Sequence, residues 1–570
     1  ALATAAGGNA FCLTTAIGDG TDASGNGNNF TPNSMSDAAN GSANTPSLVY
    51  PVLNILYPAN TAPTSEGGQT VACTAGKGYF TSQKITQKSY WECTINTISG
   101  VGGGTIGLQG CSATNYLDQS LVFAGLNGLI YLDASGTGFS IFGAIAATDV
   151  IMQAYDPDTR QWWVGVNGTW RNSGDPAAGT GSVFTHGTTD FPQGVVPGGW
   201  AGTSNAVNLT FEFSNFAYTK PVGFFALASD QLPTPVYQGI DYFNPILYTG
   251  NGSTNAITGV GFQPDLVWIK NTSSATSHSL YDAVRGVQKQ LESDNTSAET
   301  TETTGLTAFG SDGFTVGSLA QVNGNTNKLM GWSWLAGGAG ASNTDGSITS
   351  TVSKAAADHF SIVTYTGTGA AATVGHGLGG VPDLIMVKNR GTTGNWATQS
   401  SETSYSTNVF YLDLASNFAT AGVNVWNNTD PTSSVFSVRL AADTNASTNT
   451  YGAYCFRNVP GVCQIGSYKG NGSSNGPYIS LGFTPSWLVV KSIQGTYGTE
   501  WFMYDLTRRN SLQTYAGGNA NYDLLYANYP SAGSRYASTA GVDFIADGFK
   551  IRGTATDINW SGTKFLYIAM

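Results

Sequence analysis

The sequence predicts an all-β chain built from several tandem β-sandwiches, and three observations carry that prediction. Glycine is 74 of 570 residues, charged residues are only 10% and aromatics are 12%. This is a composition of short strands, Gly-rich turns and uncharged polar faces rather than of a disordered chain. Apolar residues alternate, or run briefly between Gly, Pro and Asn, throughout. The best helix candidate is 282–292 (DAVRGVQKQLE), where Gly286 limits the expectation to one or two turns. Finally, a Pro-led apolar strand occurs three times, at Pro264, Pro382 and Pro485, spaced 118 and 103 residues apart. That is domain-sized spacing, and the length suggests about four domains.

Taken in order, 1–64 is an N-terminal extension rich in Gly, Asn and Ser. Its run 22–30 reads as a turn, because a calcium loop needs more carboxylates than Asp22 provides. Residues 65–228 form a sandwich. Trp91, Cys93 and Ile95 share one strand face, with Glu92 and Thr94 on the other. Strand 149–155 leads through the turn 156–159 to 160–166, where Trp162, Val164 and Val166 oppose Trp163. Asn167-Gly168 is the sharpest hairpin signal. Residues 208–213 close the unit, and 229–240, with Pro233 and Pro235, is a linker.

Three copies of one β-sandwich module follow, at 241–340, 358–460 and 463–570. Five landmarks recur in one order. An apolar strand ends in an aromatic-Thr/Ser-Gly turn (Tyr248, Tyr365, Tyr468). The Pro-led strand follows, closing on Lys270, Lys388 or Lys491, and these lysines read as solvated strand ends or edge guards. An aromatic-Asp strand comes next (Asp282, Asp413, Asp505). A Gly-Phe strand (Phe314, Phe549, with 434–438 filling the middle slot) precedes a closing aromatic strand (331–334, 453–456, 565–568).

Two resemblances add to this. Lys88, Tyr90, Trp91 and Glu92, then 105–109, then 149–168 (DVI … YDPD … WWVGVNG) resemble a SPRY-type domain, a concanavalin-like β-sandwich that binds partners through its loops. The stretch from Leu232 through Pro264 and Lys270 to Gly286 resembles a module of tailed-phage virion proteins. There it often follows a SPRY-like domain, after a segment similar to 24–30. A laminin-G-like sandwich often precedes that pair, and 1–64 does not read as one. The resemblance implies a virion surface or tail-fibre role, with appendages that are commonly trimeric. It supplies no binding residues.

The net charge of −12 and pI near 4.7 argue against nucleic acid and anionic membranes as partners. No apolar run approaches the ~20 residues that span a bilayer. The start, Ala1-Leu2-Ala3-Thr4, has no signal-peptide pattern and reads as a processed end or a fragment boundary. Six cysteines without a CxxC pair suggest neither a disulfide scaffold nor zinc. Cys455 and Cys463 could bridge, although unpaired core residues are the preferred reading.

Catalytic groups are not read from the sequence. His186, His278, His359 and His376 lack metal spacing and a GxSxG elbow is absent, so they read as structural. Asp156 with Asp158, or Asp282 with Glu292, are the carboxylate pairs a glycosidase would need. Asp156-Pro157-Asp158 reads as a turn, and the recurrence of Asp265, Asp383, Asp282, Asp413 and Asp505 across modules points to folding. Trp163, Trp170, Trp396 and Tyr405 are weak glycan-binding candidates, since aromatic faces beside amides and hydroxyls suit sugar rings. Inter-module packing is the preferred reading for them.

The expectation is a non-enzymatic virion protein without metal or cofactor, in a tail fibre or surface appendage, binding host-surface glycan or protein. Its partners would be copies of itself, in a trimer, and other virion proteins. A capsid decoration or filament subunit with a purely structural role is the alternative, and a polysaccharide-degrading enzyme is less favoured.

Overall fold

A computed structural model describes residues 70–73, 78–80, 85, 87–99, 105–110, 122–125, 129–132, 139–140, 145–186, 195–200, 206–213, 215–227 and 237–570, the last without 404–406, 417–421, 475, 495–498, 509–522, 536–538 and 546–547. The turn expected at 22–30 lies outside the described residues. The fold is all-β, with many separate sheets and only short helices. The chain divides into two compact units, Ala1–Thr234 and Pro235–Met570.

The first unit is a sandwich of two sheets. One runs through Ala206–Glu212, Ser89–Ser99, Val150–Asp156 and Gln161–Val166. The other centres on Val195–Trp200, between Gly78–Phe80 and Thr105–Gly110. Strand periodicity sends Trp91, Cys93, Ile95, Trp162 and Val164 into the core between them, against Ile106, Leu108 and Val195. Asn167 and Gly168, with φ of 48° and 82°, form the two-residue hairpin the sequence signals. The opposite face differs from expectation. Glu92 is buried, because residues 215–227 cover that side and its carboxylate accepts Tyr90 Oη–H (2.6 Å), Ala217 N–H (2.7 Å) and Tyr218 N–H (2.9 Å).

In the second unit the sheets of the three copies, of four, seven and six strands, each contain four equivalent strands in the same order. The first is Phe243–Thr249, Lys328–Trp334, Leu266–Asn271, Ser279–Asp282. The second is Phe360–Thr366, Thr450–Phe456, Leu384–Asn389, Ala397–Ser400. The third is Gln464–Lys469, Lys564–Ala569, Trp487–Ser492, Phe502–Asp505. Continuous apolar runs in the Pro-led strands follow from burial on both faces. Val267 and Ile269, Ile385 and Val387, and Leu488 and Val490 face outward, into three separate small cores shared with the Gly-Phe strands. Leu266 and Trp268, Leu384 and Met386, and Trp487 and Val489 face inward, into one cluster common to all three copies.

The modules therefore close on one another. Trp334 meets Trp487 (5.5 Å between ring centres) and Phe360 (6.3 Å), while Phe410 stacks on Trp501 (5.6 Å). The residue just before each fourth strand hands a hydrogen bond to a neighbouring module. Trp396 Nε1–H donates to Glu292 O (2.7 Å) and Trp501 Nε1–H to Tyr411 O (3.0 Å). His278 completes the ring through Nε2 and Tyr526 O (2.9 Å), its Nδ1 accepting Trp268 Nε1–H (2.8 Å).

Two expectations are corrected here. Residues 282–292 are not helical: the chain leaves the Ser279–Asp282 strand in a turn and enters the short strand Lys289–Gln290. Asp282 organises that turn, accepting the amides of Val284 (3.1 Å) and Arg285 (2.8 Å) and pairing with the Arg285 guanidinium (2.5 Å). Asp505 and Arg508 repeat the pair at 2.6 Å. Asp413 is not the middle-copy counterpart of Asp282. It accepts Trp396 N–H (3.0 Å) as Asp294 accepts His278 N–H (3.1 Å), whereas Ser400 ends the strand where Asp282 does.

A shared core predicts shared stability. Trp487→Ala removes a ring that touches Phe243, Trp268 and Trp334 of the first module. It should cost about 3–5 kcal/mol and lower one cooperative transition of 235–570 as a whole. Denaturant unfolding followed by circular dichroism checks this. Separate transitions for the modules would contradict it.

Candidate binding surface

Most of the recurring polar residues are used inside the fold. Asp265 and Asp383 accept the amides of Ala336 (2.7 Å) and Asn458 (2.8 Å), tying each Pro-led turn to the chain leaving its own module. Ser486 holds that position in the third copy. The four histidines are buried: His186 lies 2.6 Å from Tyr155 Oη, His376 bridges Leu378 N–H and Thr432 O, and His359 packs against Tyr242. Asp156 accepts the amides of its own turn and pairs with Lys88 (3.1 Å), and Asp282 is committed to Arg285 and to Tyr454 Oη–H (2.9 Å). Cys455 and Cys463 are free thiols in the core.

The strand-end lysines are buried, not solvated. Lys270, Lys388 and Lys491 are at most 1% exposed. Backbone carbonyls replace water as partners, those of the loop after the strand for Lys270 and Lys388, and those of its own loop and of the second module for Lys491. Lys270 Nζ donates to Asn271 O (2.8 Å), Lys388 Nζ to Gly394 O, and Lys491 Nζ to Ala415 O of the second module (2.7 Å). Lys550, in the third Gly-Phe strand, donates to Gly476 O (2.8 Å). Burial disfavours the ammonium and lowers Lys270 and Lys388 to about 8, and Lys491 and Lys550 to about 7.

The aromatic candidates separate. Trp163 and Trp396 are buried, with indoles donating to Thr180 O (2.7 Å) and Glu292 O. Trp170 is half-buried, edge-on to Tyr90. Tyr405 lies outside the described residues.

What reaches the surface in a repeated form is a corner after the first strand of each module. Tyr248, Tyr365 and Tyr468 donate Oη–H to Val322, Thr444 and Ile558, each at 2.6 Å, pinning a four-residue helix (Ala320–Asn323, Ala442–Asn445, Thr556–Asn559). The last residue of each helix is a buried asparagine. Its Oδ1 accepts the amide of Asn251 (3.0 Å), Thr368 (2.8 Å) or Asn471 (2.9 Å). Gly250, Gly367 and Gly470 are required, since a Cβ there would lie 2.1–2.3 Å from the carbonyl oxygen of Gly324, Ala446 or Trp560. The corners are thus rigid loops of Gly, Asn, Ser, Thr and Ala. Among the positions at which they differ, the one after the helix carries Gly324 and Ala446 in the first and second copies and Trp560, 42% exposed, in the third. Sequence reading missed Trp560, although aligning the copies on Asn323, Asn445 and Asn559 would have found it.

A cavity of about 520 Å³ opens elsewhere in this unit, between Tyr237, Ile240, Phe243, Phe483, Ser486 and Met570. Its side chains include no carboxylate, imidazole or amine. In the first two copies, the chain following the closing strand is held at the position equivalent to Ser486 by Asp265 and Asp383.

Comparison with known proteins places the second unit. The chain belongs to the family described as "Domain of unknown function (DUF7483)", whose model matches residues 238–570. A search of curated proteins returns no match. Similar solved structures include the SPRY domain of human HERC1 (14% identity, 26% of this chain and 92% of that one, TM-score 0.22). Another is a human SPRY domain (15%, 29% and 96%, TM-score 0.19). A third is the carbohydrate-binding module CBM66 from Bacillus subtilis (12%, 30% and 94%, TM-score 0.21).

The buried lysines set a pH dependence. Between their folded values of about 7 to 8 and the unfolded value of 10.5, the unfolded chain holds more protons, so stability rises with pH across that window. The melting temperature of the C-terminal unit should be higher at pH 9 than at pH 7, and Lys491→Met with Lys550→Met should flatten the slope. Thermal melts across pH 7–10 that are flat or falling would contradict the assignment.

Proposed function

We propose that the protein is a non-enzymatic component of a tailed-phage virion, in a tail fibre or surface appendage, and that it binds a glycan or protein of the host surface. The observation that carries the reading is the contrast between interior and surface of 235–570. The recurring carboxylates and strand-end lysines are tied up within the fold, while the repeated surface feature is a set of rigid, mainly uncharged polar corners. An arrangement of this kind suits recognition by hydrogen bonding and ring contact rather than acid–base chemistry. The order of a SPRY-like sandwich followed by phage-type modules supports the virion setting, and copies of the same chain with other virion proteins are its partners there.

Gold-labelled antibody against the chain, applied to virions that carry it, should mark the tail or an appendage. Label on the capsid alone would overturn the fibre assignment. Incubation of the purified chain with host polysaccharide should release no new reducing ends. Steady release would overturn the non-enzymatic reading.

A further inference from the structure

We infer that the cavity beside Met570 is a docking slot for an extended, uncharged segment of a different polypeptide, seated as the chain's own segments are seated at the two equivalent places. One backbone hydrogen bond defines the equivalence. The residue after the proline of each Pro-led turn donates its N–H to the end of the closing strand: Asp265 to Trp334 O (2.8 Å), Asp383 to Phe456 O (2.7 Å) and Ser486 to Met570 O (2.6 Å). Two residues past Trp334 and Phe456, Ala336 and Asn458 give their amides to Asp265 and Asp383. The same segments reach the entry to the next module, with Gly337 N–H on Ser353 Oγ (2.7 Å) and Asn458 Nδ2–H on Ile465 O (3.0 Å). They also add Ala336 and Val459 to the common core. At the third place the same surroundings, a Pro-led turn (482–486), the strand end Met570 and the entry to the first module (237–243), enclose about 520 Å³.

The lining sets the chemistry of the occupant. Tyr237, Ile240, Phe243, Phe483 and Met570 supply apolar surface, and no side chain there is ionised at neutral pH. A charged residue would lose its water without gaining a partner. Trp334 and Trp487 pack on Phe243 (4.7 and 5.8 Å between ring centres) and keep buried indole N–H groups without an acceptor among the described residues. A polypeptide brings carbonyl acceptors, which a hydrocarbon ligand does not. The slot is also continuous with the interface between the modules, since Phe243 and Met570 belong to the common core. Among the described residues the two segments of this type, 335–337 and 457–459, are already seated in their own junctions, which assigns the occupant to another protein rather than to a second copy. This interaction goes beyond the surface-binding role proposed above and stands without it.

The test uses the full chain and a probe copied from 335–339, the capped peptide acetyl-Leu-Ala-Gly-Gly-Ala-amide, with acetyl-Leu-Asp-Gly-Gly-Ala-amide as its charged control. Isothermal titration should show saturable binding of the first and none of the second. Ser486→Asp restores the carboxylate that holds Ala336 and Asn458 in the other copies, and should tighten binding roughly tenfold, as for a hydrogen bond to a charged acceptor. Ile240, 58% exposed, lines the slot without filling the core. Ile240→Glu should therefore abolish binding and leave the melting temperature unchanged. Absence of binding by both the wild type and Ser486→Asp would overturn the slot, and so would binding that Ile240→Glu leaves intact. Native mass spectrometry reads the source of the occupant. Any self-association of the chain should be unchanged by Ile240→Glu, and self-association abolished by that substitution would assign the slot to a second copy and overturn the proposed occupant.

Discussion

The second unit depends on a closed handover between neighbouring modules. Trp396 and Trp501 each occupy the position just before a fourth strand and give an indole N–H to a carbonyl of another module, and His278 at the equivalent position completes the circuit with Tyr526 O. The same residues border the common core, so the hydrogen bonds are made where water is excluded and an unmade bond would be costly. Burial also shifts the protonation of the strand-end lysines. Lys270, Lys388 and Lys491 lose water because neighbouring segments cover them, and burial rather than a nearby charge sets their direction.

The sequence revealed what local pattern controls. Alternation at Trp91, Cys93 and Ile95, the Asn167-Gly168 hairpin and the three Pro-led strands are each written in a few adjacent residues. Features decided by distant segments were not legible. Glu92 falls on the outer face by alternation, and its cover comes from 215–227, far along the chain; the strand-end lysines looked like edge guards because a strand pattern does not show that the loop after it folds back over the ammonium. Asp413 was misaligned because a short Tyr-Leu-Asp pattern imitates Tyr-Asp, and only the register of Ala397–Ser400 distinguishes the two. The stretch 282–292 has the residues of a weak helix, but Asp282 captures the amides of a turn before a helix can propagate.

The candidate site was less visible than the fold. Trp163 and Trp396 drew attention as aromatics near polar loops, yet both rings fill cores and spend their N–H groups on backbone carbonyls. Trp560 is distinguished by comparison among the copies rather than by any motif of its own. Repetition identifies the residues that build the corner, and Trp560 marks a position where the third copy departs from the other two.

Hydrogen exchange read by mass spectrometry on the full chain tests the closed architecture most directly. If the three modules share one core, the amides of Lys328–Trp334, Thr450–Phe456 and Lys564–Ala569 should show closely similar protection and exchange through one common opening. Protection that differs by several kcal/mol from module to module, or exchange of one inner strand while the others stay closed, would contradict the account.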